Sequence, residues 1–252
     1  MKTSGNTILL SGGGTGIGRR LAQRWHDAGN VVIVTGRTLA SLEETVAGRA
    51  NLHARVLDVT DPAAIATFAQ NITAEFPALN VLVNNAGIMR FEDLTGPRDL
   101  TDAEATIATN LIAPIRLTDA LIAHLKAQSD AAVVMVSSGL AFVPMAVTAT
   151  YSATKAAIHS YSQSLRHQLA GQVEVIELAP PAVQTDLTPG QSTRANYLPL
   201  EVFIDQTMAL FEQQPTPAEI LVPNVLFLRN AEAEGRYAAA FEILNRDFGH
   251  NA

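Results

Sequence analysis

The sequence predicts an α/β protein built on a doubly wound parallel sheet. Short runs of apolar, β-branched residues alternate with longer amphipathic stretches, the rhythm of strand–helix–strand units. Within those runs apolar residues follow one another directly, as strands covered on both faces require. A glycine-rich segment from Gly12 to Gly18 joins the first run to the first amphipathic stretch, where the free amides of a helix start can meet an anion.

Taken in order, strands are expected at 6–11, 31–35, 52–57, 81–84, 132–137 and 173–178, six in all. Helices are expected at 16–28, 39–47, 62–75, 103–127 and 150–169. Asp61 and Pro62 read as an N-cap followed by proline at the first helical position, and Thr101 with Glu104 reads as a capping box. After Pro180 come a Pro-, Gly-, Thr- and Ser-rich stretch, a helix over 200–213 and a polar break at 215–217. Ligands of doubly wound sheets bind beyond the carboxyl ends of the strands, so 186–217 is expected to be a substrate lid. No domain boundary is marked, and 1–252 is expected to form one domain.

Composition narrows the function. Apolar residues at 48% and charged residues at 16% fit a large packed core and exclude disorder. A net charge of -7 with no basic block argues against a nucleic-acid partner. The absence of cysteine excludes disulfides, thiolate metal sites and cysteine nucleophiles. His26, His53, His124 and His250 lack ligand spacing, so no metal is expected. His159 and His167 lie beyond Lys155 on its helix and are assigned to surface or dimer packing. Glu177, a carboxylate in an apolar strand, is read as a paired structural group. With no signal-peptide pattern and no apolar run near the ~20 residues of a membrane span, a cytoplasmic protein without membrane contact is expected.

Two constellations carry chemistry. In the loop Ser11-Gly12-Gly13-Gly14-Thr15-Gly16-Ile17-Gly18, the candidate dinucleotide contacts are Gly12, Gly14, Thr15, Gly16, Ile17 and Gly18. At the end of the second strand Arg37 stands where an acid would select NAD. A guanidinium fork suits a 2′-phosphate, so NADP(H) is the expected cofactor. Tyr151 and Lys155 lie one helical turn apart on one face, where a cation is expected to draw the phenol toward working pH.

The loop spacing is similar to TGxxxGxG, with Ser11 for Thr. Together with the YxxxK pair it makes the chain resemble the short-chain dehydrogenase/reductases over nearly its full length. That resemblance implies a Rossmann-type domain and a Ser-Tyr-Lys-Asn proton relay of Ser138, Tyr151, Lys155 and Asn110. Ser137 is the alternative to Ser138, but alternation along the strand turns it to the opposite face. The resemblance also implies cofactor contacts from Asp58 and Val59, from Asn85, Ala86 and Gly87, from Val183 and Thr185, and from Tyr151 and Lys155 at the ribose. The segments NNAGIMR (84–90), SSGLAFVP (137–144) and YSATKAAIHSY (151–161) are similar to the DltE-like oxidoreductases. Met89, Phe91, Leu140, Phe142 and Met145 are candidate walls of a substrate pocket.

The chain departs from the family pattern at Pro181, where PGxVxT carries glycine, and in lacking the VDGG strand ending. The implied activity is NADP(H)-dependent reduction of a small-molecule carbonyl, or oxidation of the corresponding alcohol. The alternative is a cofactor-sensing regulator without turnover. Pairing of the two long helices, without the usual final strand, implies a homodimer instead of a tetramer.

Overall fold

Successive side chains leave a strand on opposite faces, and in the central strands both sets are apolar. The computed structural model, which describes residues 1–246, shows the consequence in β1 (Thr7–Ser11), buried along its whole length. Ile8 and Leu10 pack into one core layer and Leu9 into the other. The remaining strands are β2 (Val31–Gly36), β3 (Leu52–Val56), β4 (Leu79–Asn84), β5 (Ala132–Val136), β6 (Glu174–Leu178) and β7 (Glu219–Ile220). They form one sheet in the order β3-β2-β1-β4-β5-β6-β7, with every pairing parallel.

Helices cover both faces. On the Ile8 side, α1 (Gly16–Asp27) contributes Leu21 and Trp25, and α2 (Leu39–Val46) contributes Leu42. On the Leu9 side, α3 (Pro62–Glu75) brings Ile65 and Ile72. The chain runs from β1 outward through β2 and β3, then returns to place β4 on the other flank of β1. The connections beyond β1 and β4 diverge at this switch, leaving a crevice at their carboxyl ends.

Three local expectations are corrected. The helix expected at 103–127 is interrupted: α4 (Thr101–Ile107) gives way to a π-helical turn, Ala108–Ile112, before α5 (Ala113–Lys126). Pro114 has no N–H to offer the Asn110 carbonyl four residues earlier and would crowd it, so the helix widens there. The Thr101–Glu104 capping box is absent; Thr101 donates instead to Asp99, through its N–H at 2.9 Å and its hydroxyl at 2.7 Å. The sheet has a seventh strand, which pairs Glu219 with Glu177 and Ile220 with Leu178. At two residues it carries too little pattern to read, and its presence removes the stated reason for excluding a tetramer.

The late segments close the fold. α6 (Ala149–Gln168) lies on the Leu9 side through Ile158. α7 (Leu200–Phe211) buries Phe203, Ile204 and Phe211 in the Ile8 layer and joins α1 through Arg20–Glu201 and Arg24–Asp205. The short α8 (Leu226–Arg229) and α9 (Tyr237–Asn245) follow. At the start of α3, Asp61 Oδ1 accepts from the amides of Ala63 and Ala64 at 2.8 and 3.1 Å. Asp61→Ala leaves those amides without their cap and should cost ~1 kcal/mol. Thermal unfolding should show the midpoint falling by about 2–4 °C; an unchanged midpoint would mean the cap contributes nothing.

Candidate active site

The floor of the crevice is made by two loops in unusually close approach. Gly12 has φ +72°, and a Cβ there would lie 2.7 Å from the Ala86 Cα. A Cβ on Gly18 would lie 2.2 Å from the Gly12 carbonyl oxygen. Cross-ties hold the loops together: Ser11 Oγ accepts from the amides of Asn85 and Ala86 at 3.1 and 3.2 Å, and Asn85 Nδ2 donates to the carbonyls of Ser11 and Gly12, both at 3.0 Å. Thr15 begins α1 without a side-chain cap, and the first turn holds no acid. The amides and positive dipole end of this helix are therefore open to an anion.

A cavity of about 420 Å³ extends along this floor. Gly12, Thr15, Gly16, Ile17, Gly18 and Arg37 line one side, and Asn85, Ala86 and Gly87 line another. At its far end it reaches Ser138, Tyr151, Lys155, Val183 and Thr185. An adjoining cavity of about 230 Å³ is bordered by Gly14, Arg37, Asp58 and Val59. Arg37 is exposed and makes no ion pair or side-chain hydrogen bond among the described residues. Asp58 is held below the usual carboxylate range by the Thr60 amide at 2.9 Å and hydroxyl at 2.7 Å, with a further contribution from the Arg37 charge.

The far end is set by the start of α6. Thr150 donates to Glu92 through its N–H and its hydroxyl, both at 2.6 Å, and Arg98 pairs with the same carboxylate. Asn245 of α9 ties the preceding loop, accepting from Ala146 N at 2.6 Å and donating to Pro144 O at 3.2 Å. Tyr151 then projects into an apolar cluster with Met89 and Met145, against which Leu140, Leu187 and Leu244 pack. Two expected pocket walls fall elsewhere: Phe91 is exposed, and Phe142 packs edge-on against His159 at 4.8 Å.

Burial controls the titration of the pair. It pushes the Tyr151 phenol up to about 12, and a hydrogen bond with Ser138 works in the opposite direction. It pulls the Lys155 ammonium down to about 8, with the Glu177 charge opposing. The expectation that Lys155 draws the phenol toward working pH is therefore corrected. The Lys155 ammonium donates to the Val136 carbonyl at 2.8 Å and lies 5.5 Å from the centre of the Tyr151 ring. A neutral phenol throughout the physiological range is a proton donor, not a resting base.

Asn110 sits in the π-helical turn, buried outside the cavity lining. Its Oδ1 accepts from Ile88 N at 2.9 Å and its Nδ2 donates to Ile88 O at 2.8 Å, a two-way clamp on the loop after β4. Arg90, Asp186 and Gln191 also line the cavity; the sequence named none of them as a site residue, although Asp186 and Gln191 fall in the expected lid. His159, expected at the surface or a dimer face, turns inward: its Nδ1 lies 2.8 Å from Glu177 Oε2 and 3.8 Å from Glu219 Oε1. The fourfold spacing Tyr151, Lys155, His159 on α6 was the signal for it. Ligand atoms of His159, Glu177 and Glu219 lie within 4.8 Å of one another, but Arg229 already grips Glu219 at 2.9–3.2 Å, the arrangement of an ion-pair network.

The chain is similar to known proteins in sequence and in fold. Residues 6–196 match the short chain dehydrogenase family. The chain is 46% identical over 189 residues, 74% of its length and 75% of the relative's, to the uncharacterized oxidoreductase DltE of Bacillus subtilis. It is 32% identical over 186 residues to sulfoacetaldehyde reductase 2 of Chromohalobacter salexigens, covering 72% of this chain and 74% of that protein. A short-chain dehydrogenase structure from Streptomyces avermitilis superposes with a TM-score of 0.81 at 24% identity, across 98% of this chain and 99% of that one. On its sheet, its glycine loop and these matches, the chain belongs to the short chain dehydrogenase family.

Proposed function

We propose that this oxidoreductase reduces a small-molecule carbonyl, or oxidises the corresponding alcohol, with NADP(H). The observation that carries the reading is the convergence of Ser138, the buried Tyr151 phenol and Lys155, one turn along the same helix, on one end of the cavity. The name of the sulfoacetaldehyde reductase relative supports a carbonyl substrate.

The crevice suits a dinucleotide because the glycines of the Gly12–Gly18 loop let its backbone pack closely on the neighbouring loop and helix while α1 presents unpartnered amides. Gly12, Gly14, Thr15, Gly16, Ile17 and Gly18 would hold the pyrophosphate, Arg37 the 2′-phosphate, and Asp58 with Val59 the adenine. Asn85, Ala86 and Gly87 would border the ribose, which Tyr151 and Lys155 reach from the other side, and Val183 with Thr185 would meet the carboxamide. When bound, the nicotinamide supplies or accepts the hydride.

Ser138 polarises the carbonyl oxygen of the substrate. Tyr151 transfers its phenolic proton to that oxygen as negative charge develops there. The Lys155 ammonium stabilises the tyrosinate that remains, and Asn110 supports the relay by fixing the loop beneath it. Alcohol oxidation runs the same steps in reverse. In the lid, 186–199 covers the substrate end through Asp186, Leu187 and Gln191, while the buried side of α7 anchors it. The protein is a single cytoplasmic domain in this reading. It assembles as a homodimer through the π-helical turn, α5 and α6, whose Leu111, Ile115, Tyr161 and Leu165 stay partly exposed. A cofactor sensor without turnover would have no need of the Tyr151–Ser138 pair.

Three outcomes test this. Tyr151→Phe keeps the ring but removes the donor, so NADPH oxidation with an accepted carbonyl should fall by ~10²–10⁴ while cofactor binding persists; near-normal turnover would reject the assignment. NADPH should be preferred to NADH, and Arg37→Ala should cut the ratio of the two specificities by roughly ten- to a hundredfold, equivalent to the ~1.5–3 kcal/mol of a charge-assisted contact. A wild-type preference for NADH would make Arg37 a surface residue. Sedimentation at micromolar concentration should give a dimer, and a stable monomer would remove the helix-pairing argument.

A further inference from the structure

A buried side-chain amide has two N–H donors and a carbonyl acceptor, and each needs a partner. Thr188-Pro189-Gly190-Gln191 has the residues of a type II turn, with proline second and glycine third. Gly190 takes φ +71° and ψ 4°, and the Gln191 N–H closes the turn on the Thr188 carbonyl at 3.1 Å. The Gln191 side chain is buried. Its Oε1 accepts from the Thr188 hydroxyl at 2.9 Å, and its Nε2 donates to the Val183 carbonyl at 2.9 Å and to Thr185 Oγ1 at 3.2 Å. A backbone carbonyl can only accept, so the contact with Val183 fixes which end of the amide carries the protons. Both protons are then committed to the protein.

A threonine hydroxyl has one proton and two lone pairs. At Thr185 one lone pair is taken by Gln191, and among the described residues the proton is given to no protein acceptor. Thr185 lines the cavity together with Tyr151 and Lys155. Its Cβ stands opposite Gly16 at the start of α1, 3.5 Å from where a methyl group on that glycine would lie. The hydroxyl proton is therefore left for whatever fills the cavity. The base of the same segment is closed separately: Leu198 N–H donates to the Ala182 carbonyl and Gln184 N–H to the Leu198 carbonyl, both at 2.9 Å. Gln191 joins the turn at 188–191 to the loop after β6 through its side chain.

We propose that Gln191 is a positioning residue: it holds Thr185 Oγ1 as an acceptor, so that the hydroxyl gives its own proton to the nicotinamide mononucleotide half of the cofactor. The lid turn and the affinity for cofactor are thereby coupled. Gln191 has no amide proton left for a ligand, so its effect on binding passes through Thr185. Without that amide the Val183 carbonyl loses its donor and the Thr185 hydroxyl is free to rotate, and part of the binding energy is then consumed in ordering it. The place of Thr185 at that half of the dinucleotide rests on the reading above; the dependence of Thr185 on Gln191 does not.

Gln191→Met keeps the length of the side chain and removes its amide. Calorimetry with NADP⁺ should show the affinity falling roughly three- to tenfold, the effect of losing one neutral hydrogen bond. Adenosine 2′,5′-bisphosphate, which ends before the nicotinamide half, should bind this variant as it binds the wild type. Thr185→Val should weaken NADP⁺ at least as much, and adding Gln191→Met to it should change the affinity by less than about twofold, because the two act as one unit. If Gln191→Met fails to fold, Thr188→Val loosens the amide from its other side and should give the same pattern at smaller size. Full loss in the Thr185→Val background, equal losses for the two ligands, or an unchanged affinity for NADP⁺ overturns the proposal. A wild-type protein that binds neither ligand would instead refute the cofactor reading and, with it, the ligand assigned to Thr185.

Discussion

Everything at the site depends on how closely the loop after β1 can approach the loop after β4. The two loops share backbone space that a methyl group would fill: Gly12 faces Ala86, and Gly18 faces the Gly12 carbonyl. Ser11 and Asn85 turn that proximity into a lattice of four hydrogen bonds. The loops are thus fixed before any ligand arrives, and the first turn of α1 keeps its amides free. Asn110 extends the same device one layer deeper, gripping Ile88 from a helix that Pro114 has forced to widen. A backbone cradle, a clamp beneath it and a helix start above it form one preorganised unit.

Burial links this scaffold to the chemistry. The same packing that orders Tyr151 against Met89 and Met145 strips water from its phenol and raises its pKa. The ammonium of Lys155 is pushed the opposite way by the same cause. Left alone, burial would favour a neutral phenol beside a neutral amine, a pair without the charge needed to stabilise a tyrosinate. The charge of Glu177 in β6 works against that tendency at Lys155. The electrostatic design thus reaches one layer behind the residues that face the cavity.

Residues distant in sequence set the start of the helix that carries this chemistry. Glu92 holds the Thr150 amide in its first turn and Asn245 holds the loop before it, so Tyr151 is positioned from both sides. Such anchoring matters because a proton donor displaced by an ångström is a poor one.

The sequence by itself determined the features that depend on short-range pattern. Six strands were legible from their short apolar runs, although β3 alternates His53 and Arg55 with its apolar residues. The glycine loop and the Tyr151–Lys155 pair were legible because their spacing alone places them on a turn and on one helix face. Asp61 was readable as a cap from its neighbour Pro62. Tertiary structure decided what depends on partners brought from elsewhere. β7 exists because two residues meet β6, and Thr101 turned to Asp99 instead of capping with Glu104. His159 looked peripheral until Glu177 of the sheet met it. The direction in which Tyr151 titrates was misjudged for the same reason: spacing gives the distance along a helix, whereas desolvation is set by everything packed around it.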